Sequence, residues 1–272
     1  MRAGQDGVRQ LAVSNGFTRL AMIASDTERA QEAAHELRQS HAFCPIEEAE
    51  AVAVIGGDGF MLHTLHQMLD SGDVKPVYGV NLGTVGFLMN KHRKGGKLLD
   101  RVNRARSIAI APLRMEAVTQ DGAKTSFCAI NEVSLLRETR QTAKIEITVD
   151  DRVRVDELVC DGVLVATPAG STAYNLSAHG PILPLDSNLL ALTPISPFRP
   201  RRWNGALLPD RSRIQLRVRE PSKRPVSAVA DQKEVRDIAE VTLEVAREAE
   251  LTLLFDPGHA LDERIVAEQF VA

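Results

Sequence analysis

Cysteine is scarce in this chain. Its 272 residues hold three, Cys44, Cys128 and Cys160, widely spaced and without a Cys-x-x-Cys. That argues against a disulfide framework and a structural zinc site, and it fits a cytoplasmic, reducing location. No apolar run approaches the length of a membrane span, and Met1 to Gln10 lacks the apolar core of a signal peptide. Neither sign of charge dominates: 33 Lys and Arg stand against 36 Asp and Glu. That argues against a nucleic-acid binder and against a polybasic membrane face. The basic cluster Arg199-Pro-Arg-Arg202 is short and set among prolines, as in a solvated loop. There is no internal repeat and no low-complexity segment.

One stretch organises what is there. Ala51-Val-Ala-Val-Ile55 reads as a strand covered on both faces. Gly56-Gly57-Asp58-Gly59 reads as a tight turn. Met61, Leu62, Leu65, Met68 and Leu69 then recur at helical spacing. A strand that turns through glycines into a helix aims bare N–H groups and the positive end of the helix dipole at a ligand, which suits phosphate. Asp58 would repel phosphate unless a magnesium ion or a proton-donating hydroxyl offsets it, and both point to phosphoryl transfer. Alternatively, Asp58 only caps the helix.

The chain divides near residue 107. Residues 1–107 alternate strand and helix: a strand over Phe17–Ala24, a capping box at Ser25-Asp-Thr-Glu28, then a helix. A short strand at Pro76–Val80 runs into a second glycine loop, Asn81-Leu-Gly83-Thr-Val-Gly86-Phe-Leu88. This is a Rossmann-like α/β domain with a parallel sheet and its ligand at the strand C-termini, where both glycine loops would line one crevice. In residues 108–257 a period of two takes over, as in Leu113–Val118, Lys144–Val149, Arg213–Arg219 and Val241–Val245. This predicts a β-sandwich-like second domain. After the break at Asp256-Pro-Gly258, Leu261 to Phe270 reads as a C-terminal helix, and residues 258–272 are expected to pack back on the first domain.

Two segments of the second half carry chemistry. Asn131 and Glu132 stand at a strand end, and an adjacent amide and carboxylate can grip paired hydroxyls such as those of a ribose. An exposed edge pair is the plainer alternative. Cys160 to Ser177 reads as a strand, a turn dense in Gly, Ser and Thr, and a helix start. Its small side chains let a ligand approach the backbone, and Tyr174, one of two tyrosines, can stack on a ring. A capped loop would explain the same residues.

Together these residues resemble NAD kinases. Gly56-Gly-Asp-Gly59, the loop from Gly79 to Leu88, Asn131-Glu132 and Asp161 to Tyr174 share the order and spacing of that family, over roughly residues 50–185. Gly-Gly-Asp-Gly alone also occurs in diacylglycerol kinases, sphingosine kinases and phosphofructokinases. The Thr-Pro-Ala-Gly-Ser-Thr-Ala-Tyr run with its upstream Asn-Glu is far more specific. The resemblance implies transfer of the γ-phosphate of ATP, with magnesium, to the 2′-hydroxyl of the adenosine ribose of NAD. It implies that Asp58 is catalytic and that Gly56, Gly57, Gly59 and His63 bind phosphate or nucleotide. It implies NAD contacts from Asp58, Gly59, Asn131, Glu132, Asp161, Ala169, Thr172, Ala173, Tyr174, Asn175, Leu176 and Ser177. It also implies a homodimer or homotetramer, with Asp161 reaching a neighbouring subunit.

There are departures. Phe60 replaces the usual small polar residue, which leaves the donor open between ATP and polyphosphate. His63 replaces a common Arg. His63 and His66, spaced i, i+3, offer a candidate metal pair, but a full site needs further ligands that the sequence does not supply. Asp231 and Gln232 adjoin where some members have Asp-x-Gln, and no role is carried over. Two rival readings remain: a lipid or sugar kinase sharing the glycine turn, and an inactive NAD-binding regulator.

Overall fold

The computed structural model describes residues 15–83, 86–93, 95 and 97–257. They form two compact units. The first takes residues 15–64, 75–108 and 252–257, and the second takes 65–74 and 109–251.

The first unit is α/β. Its strands are β1 (Leu20–Ala24), β2 (Ala51–Gly56), β3 (Val77–Asn81), β4 (Asn90–Lys91) and β5 (Arg106–Ile110), and its helices are α1 (Glu28–Ser40), the start of α2 (Asp58–Ser71), whose residues from Leu65 on count with the second unit, and α3 (Leu98–Arg104). The last described strand, β18 (Leu251–Phe255), returns to this sheet, whose order is β1-β2-β3-β18-β5 with β4 beside β3. The pairs β1–β2, β2–β3, β3–β18 and β3–β4 are parallel. Every residue of β2 and β3 is buried, as continuous apolar strands with both faces covered require. Asn90, fully buried, donates to the carbonyls of Gly79 and Leu254 and accepts from the Asp256 N–H. One side chain therefore stitches three strands.

The second unit is an antiparallel sandwich. Its strands are β6 (Leu113–Thr119), β7 (Lys124–Ala129), β8 (Glu132–Arg137), β9 (Ala143–Val149), β10 (Arg152–Cys160), β11 (Gly162–Ala166), β12 (Leu189–Ile195), β13 (Ala206–Pro209), β14 (Ile214–Val218), β15 (Val226–Ala230), β16 (Lys233–Val235) and β17 (Ile238–Val245). One sheet runs β10-β9-β14-β17-β6-β7 and the other β13-β12-β11-β8-β15-β16. Alternation sets the faces. In β6, Leu113, Met115 and Ala117 are buried while Glu116 is exposed. Both sheets feed one apolar core, which includes Ile145, Ile147 and Leu216 from the first and Leu135, Val163 and Val165 from the second.

Two sequence expectations change. The capping box does not form. Thr27 is the N-cap of α1 and makes no side-chain cap bond. The Ser25 hydroxyl bonds the Thr27 hydroxyl instead, and the Gln31 amide reaches back to the Ser25 carbonyl. The first strand also begins at Leu20 rather than Phe17. The expected C-terminal helix lies outside the described residues.

Candidate active site

In the first unit, β2 ends at Gly56. The Gly57 carbonyl accepts the N–H groups of Phe60 at 3.1 Å and Met61 at 3.0 Å, and this starts α2. A helix start leaves its first N–H groups without intrahelical partners. A Cβ added to Gly57 or Gly59 would meet nothing within 4 Å, whereas one on Gly56 would come within 3.1 Å of the Phe60 ring and 3.3 Å of the Ser25 hydroxyl. Gly56 is therefore needed for packing, while Gly57 and Gly59 border open space.

Asp58 is not a simple cap. Its carboxylate accepts the N–H of Phe87 at 2.6 Å and of Leu88 at 3.1 Å. The second glycine loop is thereby tied to the first, along the one edge the sequence suggests. That loop is shaped by Asn81, which accepts the Gly83 N–H at 2.8 Å. A Cβ on Gly86 would come within 2.9 Å of the Asn81 amide nitrogen. His63 is exposed on α2. His66 is not: its Nε2 lies 2.7 Å from Asp231.

In the second unit, Asn131 precedes β8 and Glu132 opens it. The Thr167 hydroxyl donates to the Ile130 carbonyl at 2.6 Å, and the Thr167 N–H donates to the Asn131 carbonyl at 2.9 Å. The Asp231 carboxylate accepts the N–H groups of Ile130, Asn131 and Glu132 at 2.6, 3.0 and 3.1 Å. The Glu132 carbonyl takes the Asp231 N–H at 3.1 Å. With its main chain satisfied this way, the turn keeps the Asn131 and Glu132 side chains for other use.

Glu132 is out of balance. Its Oε2 is buried and has no hydrogen-bond partner. Burial first, and then the neighbouring Asp231 charge, push its carboxyl up to about 7, against a lowering bond from the Tyr174 N–H. Burial, with the charges of Glu132 and Asp161, also raises the Tyr174 phenol. An orphaned buried carboxyl oxygen is costly unless a ligand satisfies it.

The remaining candidates follow β11. Ala169 to Thr172 form a 3-10 turn, and Tyr174 to Ser177 a single helical turn. Ala169 is buried and lines a cavity of about 190 Å³ with Ile110, Leu185 and Leu190. Thr172, Ala173, Tyr174 and Leu176 are half-buried, and Ser177 is exposed. Asn175 is fully buried, and its side chain is spent inside the fold: Nδ2 donates to the Ser171 and Pro181 carbonyls, and Oδ1 accepts the Thr193 hydroxyl at 2.7 Å. Asp161 pairs with Arg137 at 2.6 Å and stays 41% exposed, so it retains a solvent-facing edge.

Sequence reasoning missed Asp231 and Thr167 as organisers of this turn. For Asp231 the available signal was the adjacent Asp-Gln at a hairpin tip, which indicates a turn but not its target. Among the described residues no group of three His, Cys, Asp or Glu could hold a metal ion. No helix among them is long and apolar enough to cross a membrane.

Family comparisons cover both units. The ATP-NAD kinase N-terminal domain matches residues 8–106 and the ATP-NAD kinase C-terminal domain residues 130–252. The NAD kinase of Rhizorhabdus wittichii is 62% identical over 253 residues, 93% of this chain and 98% of that protein. The NAD kinase of Mesorhizobium japonicum is 54% identical over 258 residues, 95% and 99% of the two chains. Among solved structures, yeast NADH kinase complexed with NADH aligns with a TM-score of 0.77 at 21% identity, over 94% of this chain and 88% of that one. An NAD kinase from Archaeoglobus fulgidus in complex with ATP aligns with a TM-score of 0.73 at 23% identity, over 92% and 98%.

Proposed function

The chain belongs to the ATP-NAD kinase family, and on that premise we propose how its residues carry the reaction. The activity is phosphoryl transfer from ATP to the 2′-hydroxyl of the adenosine ribose of NAD, giving NADP. Gly57 and Gly59 let phosphate oxygens approach the N–H groups at the start of α2. His63, exposed on the same helix, contacts phosphate. Asp58 holds the 2′-hydroxyl and takes its proton. A loose transition state needs little proton removal early, so a carboxylate suffices. Asn131 and Glu132 bind ribose hydroxyls of NAD, and Asp161 with Ala169 and Thr172 to Ser177 supply further NAD contacts. Asn175 serves there through its main chain and its scaffold bonds. ATP is the donor, and Asp58 is the carboxylate that would meet a magnesium ion brought with it, which would supply neutralisation of phosphate charge.

The observation that carries this reading is the buried, partnerless Oε2 of Glu132. Ribose hydroxyls donate to a carboxylate, so NAD selects the ionised form of a group poised at about 7. The KM for NAD should therefore fall as pH rises from about 6 to about 8, since binding then no longer has to expel a proton. In Glu132→Gln that dependence should vanish, and the KM should rise about tenfold at high pH, the loss of roughly one charged hydrogen bond. The same shift acts on the stability of the free protein. A carboxyl raised on folding contributes stability below its ordinary 4.5 that is lost as pH climbs through about 7, and Glu132→Gln should lack this decline. A KM for NAD that is flat with pH and equal in both proteins would remove Glu132 from the pocket.

Gly59→Ala makes an opposed pair of predictions. The position is helical and its missing Cβ faces open space, so the protein should become more stable by about 0.5–1 kcal/mol. The same methyl occupies the phosphate approach, so the KM for ATP should rise by about tenfold or more, roughly the effect of one displaced charged contact. Melting temperature and initial-rate kinetics on one preparation test both, and a variant that is stabilised with an unchanged KM for ATP would contradict the placement of phosphate.

Three described free cysteines support a reducing, cytoplasmic setting. The proposed assembly is a homo-oligomer, dimer or tetramer, in which Asp161, half-exposed beside Arg137, meets the nucleotide of a neighbouring subunit.

A further inference from the structure

Asp231 is a buried side chain with no part in the phosphoryl transfer itself. It sits at the tip of the β15–β16 hairpin with φ of 52°, in the left-handed region that Asp and Asn tolerate better than other side chains. Its carboxylate is 1% exposed. It accepts three consecutive N–H groups, from Ile130, Asn131 and Glu132. The oxygen that takes the Ile130 N–H also lies 2.7 Å from His66 Nε2 on the second half of α2. The main-chain N–H of Asp231 closes the clasp on the Glu132 carbonyl. A surface cap would need one or two such bonds. This carboxylate spends itself on the residues flanking the orphaned Glu132 oxygen, and its charge faces Glu132.

We propose that Asp231, backed by His66, is a positioning residue that fixes the Asn131–Glu132 turn for the acceptor nucleotide and sets the charge environment of Glu132. The inference rests on reading Asn131 and Glu132 as acceptor-binding residues. Three N–H bonds hold the turn in one register, so both side chains leave it on the acceptor side. His66 keeps the carboxylate from rotating away. The titratable groups that face Glu132 are Asp231 from the hairpin and Tyr174 from the helical turn, with His66 reaching it only through Asp231. Removing the Asp231 charge therefore eases the ionisation of Glu132.

The test is Asp231→Asn in the full chain, beside His66→Gln, with NAD, ATP and magnesium as the probes. Asn keeps the size and tolerates the backbone angle, but its amide sets a donor against donors. The KM for NAD should rise about tenfold, the cost of roughly one charged hydrogen bond. The KM for ATP should stay within about twofold, because no ATP contact is altered. The pH at which NAD binding tightens should move below its wild-type position. His66→Gln should shift the KM for NAD in the same direction by less. An unchanged KM for NAD and an unmoved pH midpoint would overturn the proposal. So would a parallel loss on both substrates with an unmoved midpoint, which is what mere structural support predicts. Asn131→Ala and Glu132→Gln run alongside: if they leave NAD binding intact, the acceptor reading itself fails, and if they weaken it while Asp231→Asn does not, only this inference fails.

Discussion

Asp58→Asn should lower kcat for NADP formation by about three orders of magnitude, within the range a positioned proton acceptor contributes, while NAD still binds. The swap keeps the size and removes the charge. In the wild type both carboxylate oxygens accept main-chain N–H groups, from Phe87 and Leu88. Each oxygen has a second lone pair, so a ribose hydroxyl can still donate to the same group. Asparagine retains one oxygen for one of the two N–H groups and turns its amide against the other. On the proposed mechanism the variant therefore loses a proton acceptor, and by its geometry it loses one tie between the glycine loops.

These two losses separate kinetically. A group that acts only on the transition state lowers kcat and kcat/KM together, whereas a latch that holds a binding loop raises KM. The expected pattern is a collapse of kcat with the KM for NAD within about threefold, since uniform binding is left in place. Calorimetric NAD binding to the variant supplies the control. A kcat within about tenfold of wild type would demote Asp58 to a latch between loops, because a lost general base costs more than that.

The glycine turn could be read from sequence because each part has a local signature: five apolar residues for a doubly covered strand, glycines for close approach, and period 3.6 for the helix. What Asp58 does there could not be read. Its partners are the N–H groups of Phe87 and Leu88, and main-chain donors leave no mark in composition. Asp231 was hidden for a related reason. It lies about a hundred residues from the turn it holds, and they meet because β15 pairs with β8 in register, Ala230 opposite Val133. Nothing at either position predicts that pairing. Ser25 shows the converse. Its Ser-x-x-Glu spacing matched a capping box, but a longer reach by Gln31 took the carbonyl and the helix began two residues later than the motif implied. Local patterns thus identified the elements and offered candidate residues on them, while the bonds that tie those residues to distant turns belong to topology.

Gly170→Ala should be the most damaging small substitution in the acceptor segment. A Cβ at Gly170 would stand 2.1 Å from the Asn131 carbonyl oxygen, 2.3 Å from its carbon and 2.5 Å from the Asn131 Cα. These are main-chain atoms, so no rotamer change relieves the overlap. Neither can the turn retreat. Asp231 holds its N–H groups on one side, and Thr167, three residues before Gly170, holds its carbonyls. Relief means breaking one of those buried bonds. Overpacking costs about 1–3 kcal/mol, and each orphaned buried group adds about 1–3 kcal/mol. A loss of roughly 2–5 kcal/mol is therefore expected in urea unfolding. In whatever fraction folds, the KM for NAD should rise by more than in Asp231→Asn, because the turn itself is displaced rather than loosened. Gly57→Ala, where the added methyl meets nothing within 4 Å, is the matched control for a glycine replaced without a clash. If Gly170→Ala unfolds at the same urea concentration as that control and binds NAD normally, the segment is not clamped against the Asn131 turn as the structure has it.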